Sequence, residues 1–390
     1  MSGRASATRG RPRASPRRAR SAKDATRAAV VAALRPRTRD PSDAVRQAVA
    51  AVLGELGGAG ALAALRPLLA DPSDRVRRAA VLALGRASGT TAPELARIRR
   101  FLADPAPRVR AAAAVVLGRR RDRASVPALL ARLRAPGTWE KPSVAVALGR
   151  IGDRRAVGAL VELAGRPERW LRVCGVHALG EIGAVEARPV VRAALADPAW
   201  SVRGAAATAL GSVGTAHDAR RLLELVDDPH PWPRRGALYA LGCLHRSEAT
   251  GRIRAALLDP APAVRVAACW ALGELGDPSA RRPLARFLVE CPAPRAPGTA
   301  AAPPSPEELP SLEAEDRLLE TAVAALGRLA TAGPDAEVDR ALDDAERRLR
   351  PEDLDRPSRP AFSDRRTTGP PPTLRQLFAA ARSTPGRAGR

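Results

Sequence analysis

The chain has 390 residues, 65 of them Lys or Arg against 41 Asp or Glu, for a formal charge of +24. Aromatic residues make up only 3%, so the apolar content is mostly Ala, Leu and Val, which suits closely packed helices and argues against a strand-rich fold. No stretch is long and apolar enough to cross a membrane, and the four cysteines (Cys174, Cys243, Cys269, Cys291) form neither a CxxC pair nor a secreted-framework spacing. The charge is uneven. Residues 1–39 carry +11, residues 350–390 carry +5, and the 310 residues between them carry +8. The start is rich in Arg, Ser and Ala and has no apolar signal core, so it reads as a basic tail on a soluble, cytoplasmic protein.

In chain order, residues 1–22 read as a disordered basic tail and 23–290 as an array of eight repeats. Residues 291–311 read as a flexible Pro/Ala-rich insert, 312–350 as a degenerate ninth, capping repeat, and 351–390 as a second disordered basic tail. The repeats align on the Gly of a Leu-Gly pair: Gly54, Gly85, Gly118, Gly149, Gly180, Gly211, Gly242 and Gly273, spaced 31, 33, 31, 31, 31, 31 and 31 residues apart. Thirteen residues before each Gly is a proline, and eight before it is a base. Such a period marks a solenoid, in which each unit buries its apolar faces only by stacking on its neighbours.

The sixth repeat shows the internal logic. Asp197 is placed to cap a helix, and Pro198 suits the first helical position. Val202, Ala206, Leu210 and Val213 then form one apolar stripe. Gly211 and Gly214 are expected to close that helix, the second as a left-handed cap, and a second helix is expected over about 216–226. The Arg six places after the Asp can bond the Asp of its own or an adjacent repeat. That predicts a structural ladder of Asp40, Arg46, Asp71, Arg77, Asp104, Arg110, Arg172, Asp197, Arg203, Asp228, Arg234, Asp259 and Arg265. Repeats four and five carry Ala135 and Arg166 where the others have Asp. Within the second tail, residues 372–383 can form a short amphipathic helix around Leu374, Leu377 and Phe378.

The repeated segments Asp71–Ala87, Asp104–Arg120, Asp197–Gly214 and Asp259–Gly276 resemble the HEAT-repeat family, most closely the short HEAT-like repeats of phycobilisome lyases, with the consensus DPxxxVRxxAAxALGxIG. The resemblance implies an all-α fold: an armadillo-like α-solenoid, a right-handed superhelix of about nine stacked antiparallel helix pairs. It does not imply lyase chemistry, because fold does not fix function.

All five tryptophans and the single tyrosine fall at the start or on one face of the helices that carry the Leu-Gly motif. In a solenoid of this kind those helices line the concave surface. Trp139, Trp170, His177, Trp200, Trp232, Tyr239 and Trp270 are therefore the candidate partner-binding residues, while the rival reading makes the rings packing spacers between repeats. Cys174 and His177 are half a zinc site at best, and no second pair completes it, so neither metal nor cofactor is expected. None of the four histidines precedes a Glu, which sets aside the iron-binding HEAT-like deoxyhypusine hydroxylases. No nucleophile motif or phosphate loop is present, so no catalytic residue is assigned.

The first functional reading is a non-catalytic scaffold, expected to be monomeric, that binds a protein partner along the concave face. The second is a nucleic-acid-associated solenoid whose basic tails contact phosphates. A bilin-lyase-like protein is the third, since that chemistry has no short signature to test.

Overall fold

The computed structural model describes residues 16–137, 139–290, 309–330, 335–349, 354–355, 357 and 372–382. Among them are twenty α-helices and no strand, only one isolated bridge between Pro357 and Thr373. The chain divides into two compact units, residues 1–151 and 152–390. The insert at 291–308, most of the first tail and much of the second lie outside the described residues.

In the first unit, α1 (Pro16–Leu34) precedes an inner row of α2 (Asp43–Leu56), α4 (Asp74–Arg86), α6 (Pro107–Arg119) and α8 (Lys141–Ile151). Between them run the outer helices α3 (Gly58–Leu65), α5 (Ala92–Arg100) and α7 (Val126–Arg134). In the second unit the outer α9 (Val157–Ala164) leads into an inner row of α10 (Arg169–Ile182), α12 (Trp200–Val213), α14 (Pro231–Cys243), α16 (Pro262–Leu275) and α18 (Leu309–Arg328). Its remaining outer helices are α11 (Arg188–Ala193), α13 (Ala219–Leu225), α15 (Thr250–Ala255), α17 (Arg281–Glu290) and α19 (Ala336–Arg347). Within each unit, successive inner helices pack directly on one another, whereas successive outer helices such as α11, α13 and α15 touch little. The closely spaced row is the inside of a curved stack, so the inner row carries each unit's concave face. The chain is an all-α solenoid.

The core stripe is the expected one: Val202, Ala206, Leu210 and Val213 are buried, as are Val76, Ala80, Ala83 and Leu84 in α4. The helix start differs from the expectation. Asp197 is not the cap of α12. Ala199 is the cap, and Trp200 is the first helical residue. The Asp197 carboxylate instead accepts the Ala199 amide at 2.8 Å, which forms a side-chain turn ahead of the helix and leaves Pro198 inside that turn. Where a proline does stand at the first helical position, it is the second of the motif: Pro107, Pro231 and Pro262. The reason is competition for the carboxylate, which the neighbouring repeat's arginine also engages.

The glycines also act differently from the expectation. Gly214 is extended, with φ −71°, although Gly183 and Gly276 do close α10 and α16 in the left-handed region. The Leu-Gly glycine lies inside the helix, at a point of close approach. A methyl group at Gly54 would stand 2.7 Å from Cβ of Ala83, and one at Gly180 would stand 2.6 Å from Cβ of Ala209. Within each unit this Gly is thus the contact at which one inner helix meets the next, and at Gly54 and Gly180 only a hydrogen fits.

The tail boundaries shift as well. α1 begins at Pro16, inside the stretch read as a disordered tail. The ninth copy around Thr321 is the second half of α18. Residues 374–382, read as part of the second tail, form α20 (Leu374–Arg382), which packs on α18 and buries Leu374, Phe378 and Ala381. Gly327 faces Ala380 and Ala381 of α20 much as Gly273 faces Ala325 of α18. A helix with no repeat signature thus occupies the place of a further inner helix and covers the end of the stack.

Candidate functional site: the inner face and its ladder

Within each unit a fork of hydrogen bonds recurs between successive repeats, at Arg46, Arg77, Arg172, Arg203 and Arg234; repeat four carries Lys141 in the arginine's place. Nε and one terminal nitrogen of Arg46 donate to the Asp71 carboxylate at 2.7 and 3.0 Å, and Arg77 does the same to Asp104 at 2.9 and 3.0 Å. In the second unit Arg172 bridges to Asp197, Arg203 to Asp228 and Arg234 to Asp259, with Nε–O distances of 2.8, 2.7 and 2.8 Å. The other terminal nitrogen donates to two carbonyls of its own turn, as Arg203 does to Asp197 and Pro198. The side-chain partner is thus the Asp of the following repeat, and an arginine meets only carbonyls of its own.

Two ends depart from the expected ladder. The Asp40 carboxylate bonds Arg37 rather than Arg46, which reaches only the Asp40 carbonyl. Arg265 donates only to the Asp259 and Pro260 carbonyls, since the next unit carries no Asp-Pro. At Ala135 the missing carboxylate is supplied by the buried Glu140, which accepts from Arg110 at 3.0 Å and from Arg132. The Asp71 carboxyl is held below its ordinary value, chiefly by the Arg46 hydrogen bond and against its own burial. At Asp197 and Asp228 burial is the largest influence and acts upward, yet the arginine forks and backbone amides outweigh it and leave both carboxyls below the ordinary range. These groups are committed to structure.

The aromatic residues divide into two sets. Trp170, Trp200 and Trp232 stand within the first two positions of α10, α12 and α14 and are 38%, 39% and 53% exposed; Trp139, just ahead of α8 in the first unit, is 58% exposed. His177, about two turns further along the same face of α10, is also exposed. Tyr239 and Trp270 are different. Their rings stack on each other at 4.9 Å, and each lies over the bare Cα of the preceding repeat's glycine. A methyl group at Gly211 would stand 2.9 Å from the Tyr239 ring, and one at Gly242 would stand 2.9 Å from the Trp270 ring. These two rings are half-buried spacers between inner helices, where the groove reading had placed ligand contacts.

A half-buried partner of the exposed set escapes sequence reading. The His230 ring lies flat against Trp200, with centroids 3.7 Å apart and planes 9° apart, and Trp232 tilts over the same ring at 6.2 Å. His230 is kept below its ordinary pKa, first by burial and then by Arg234 and Arg203, with Asp228 opposing. The Arg235 guanidinium sits 5.9 Å above the Trp232 ring. The signal for His230 was the stacking register. Ser73 bonds Asp43 across the same pair of positions that brings His230 to Trp200.

Among the described residues no group of three or more His, Cys, Asp and Glu could hold a metal ion, and no helix is long and apolar enough to cross a membrane. Burial raises the Cys174 thiol above its ordinary value, which disfavours the reactive thiolate.

A profile described as HEAT repeats matches residues 31–100, 94–173, 167–242 and 219–302. Among solved structures, E. coli YibA is similar at 17% identity and a TM-score of 0.39, over 82% of this chain and 98% of that one. Kap95p, from a complex with RanGDP, is similar at 14% identity and a TM-score of 0.48, over 89% and 50%. The CpcE–CpcF complex of phycocyanin lyase from Nostoc sp. is similar at 20% identity and a TM-score of 0.33, over 90% and 100%. A search of curated proteins gave no match. With its repeats matched from residue 31 to residue 302, the chain belongs to the HEAT-repeat family.

Proposed function

We propose that the protein is a scaffold that binds a protein partner on the inner faces of its helix stacks. The observation that carries this reading is the row of exposed tryptophans at the starts of α10, α12 and α14. Three large apolar rings on successive repeats stay more than a third exposed even though Trp200 stacks on His230, while Tyr239 and Trp270 space the inner helices. Aromatic anchors on a rigid surface are the usual centres of protein interfaces. A static face suits the role, because a fixed ladder holds the rings in register before binding and lowers the ordering cost of association.

Affinity capture with the full chain tests the reading. The double variant Trp200→Ala/Trp232→Ala should fold normally and lose the proteins that the native chain retains. Retention of the same proteins by the double variant would refute the tryptophan face as the docking surface. Binding of nucleic acid by the basic termini is the second reading, favoured by the charge of +11 on residues 1–39. It predicts binding that collapses with salt and is indifferent to the tryptophans.

A further inference from the structure

The inner face of the first unit has a different chemistry. Counting from the Asp of each repeat, the inner face takes positions 4, 7, 11 and 15, which share one side of the helix. In repeats two to four position 4 holds Arg75, Arg108 and Trp139, and position 15 holds Arg86, Arg119 and Arg150. All six are exposed. Arg86 makes one surface ion pair, with Glu55 at 3.3 Å. Among the described residues Arg75, Arg108, Arg119 and Arg150 have no hydrogen bond or ion pair, and the same holds for the exposed Arg78 at position 7. Between the two rows, position 11 holds the half-buried Leu82, Val115 and Val146. The face is therefore an apolar floor between two cationic rails.

The dimensions narrow the occupant. Positions 4 and 15 are eleven residues apart, so the rails stand about 16 Å from each other at a rise of 1.5 Å per residue. An α-helix with its side chains is about 10–12 Å wide and fits between them. Neighbouring inner helices are spaced about 8–10 Å, close to the rise of seven helical residues, about 10.5 Å. A helix laid along the stack with one apolar residue per heptad would thus meet Leu82, Val115 and Val146 in turn. Carboxylates on its two flanks would meet the rails. A nucleic-acid backbone would engage the rails but leave the floor facing water, because Leu82, Val115 and Val146 offer phosphates and bases no side-chain donor.

We infer that the inner face of the first unit binds an acidic amphipathic helix, about three heptads long, from a partner protein. The inference rests on the reading of the inner row as the docking face and adds the chemistry of the ligand. Arginine suits the role, since its planar fork pairs carboxylates in two-point contacts that lysine cannot match.

The test uses the full chain and a fluorescein-labelled synthetic 21-residue helix, with leucine at every heptad position and glutamate on both flanks. Fluorescence anisotropy is read for the native chain and for Arg75→Glu/Arg108→Glu/Arg119→Glu/Arg150→Glu. An equal-charge control reverses the exposed Arg39, Arg100, Arg121 and Arg134. The inner reversals should weaken binding at least tenfold and the control less than twofold. Leu82→Ala should weaken it severalfold, and the Glu→Gln peptide should bind at least tenfold more weakly than the parent. Each rail reversed alone should give part of the loss, and thermal melting confirms that every variant is folded. Trp200→Ala/Trp232→Ala should leave the peptide's affinity unchanged, so a failure here is distinguishable from failure of the tryptophan face. Equal weakening by the inner and control sets would overturn the inference. So would a 21-base-pair duplex that binds the inner rails while the acidic helix does not.

Discussion

The two units share a frame and differ in what the frame presents. In both, arginine forks tie repeats to the carboxylate of the next, as Arg77 does to Asp104 and Arg203 to Asp228, a Leu-Gly glycine sets the helix contact, and Val, Ala and Leu fill the core. On the inner face of the first unit, positions 4 and 15 are mostly arginine around an aliphatic floor. On that of the second, the same positions carry Trp170, Trp232 and the acids Glu181 and Glu274, with His177, Thr208, Tyr239 and Trp270 along position 11. One period therefore separates two tasks by residue position. Positions 6, 9, 12, 13 and 14 build the stack and vary little, while the more exposed 4, 11 and 15 vary because the stack depends on them less. Tyr239 and Trp270 are the exceptions, since a ring placed at position 11 can fold back over the neighbouring glycine.

If the frame is common, breaking it should cost the same in either unit. Arg77→Ala and Arg203→Ala each leave a mostly buried aspartate without its cation, and each should destabilise its unit by about 3 kcal/mol. Chemical denaturation followed by circular dichroism would check this, and a cost in only one unit would break the equivalence. Within the second unit, Trp270→Ala should cost about 2–3 kcal/mol as a half-buried large-to-small change. Trp232→Ala should cost within about 0.5 kcal/mol as a surface change. Equal costs would erase the distinction between spacer and anchor.

Acid should act on the frame in both units. The carboxyls of Asp71, Asp197 and Asp228 bind protons less tightly in the folded state than in the unfolded chain. Their contribution is complete above the unfolded Asp value of about 3.9 and is lost as the pH falls through the lower folded values. Melting temperature should therefore hold steady down to about pH 5 and drop below about pH 4. A steep loss already near pH 6 would point away from the ladder. The smallest effect is expected from Arg75→Glu with Arg108→Glu. Both arginines are exposed and, among the described residues, make no hydrogen bond or ion pair; the two changes should shift stability by less than about 0.5 kcal/mol while altering ligand binding.

Much of the frame was legible in the sequence, because the Pro, basic and Leu-Gly positions recur eight times at fixed offsets and the Asp before the Pro six times. The direction of the ladder was not. An arginine six places after one aspartate and 25 places before the next can reach either, and only the stacking shows that Arg203 forks onto Asp228 and not Asp197. Asp197 was misread as a cap because the chain needs its carboxylate twice, for the Ala199 amide and for Arg172. The aromatic face was half legible. Spacing put the rings on one side of the helix, but the fate of each depends on what faces it across the helix contact, which for Tyr239 and Trp270 is a glycine. α20 had an amphipathic pattern and no repeat signature, so its place at the end of the stack could not be read. The rails of the first unit were in plain view at fixed offsets, hidden by the abundance of arginine everywhere else.

The most direct measurement of the central claim, that partners dock on the inner row, is site-specific photocrosslinking. Benzoylphenylalanine at Thr208, exposed on the inner face of α12, is compared with the same group at Arg220, exposed on the outer helix α13. The account predicts a crosslinked partner from position 208, competed away by excess unlabelled native chain, and none from position 220. The same partner crosslinked from position 220 and not from position 208 would contradict it.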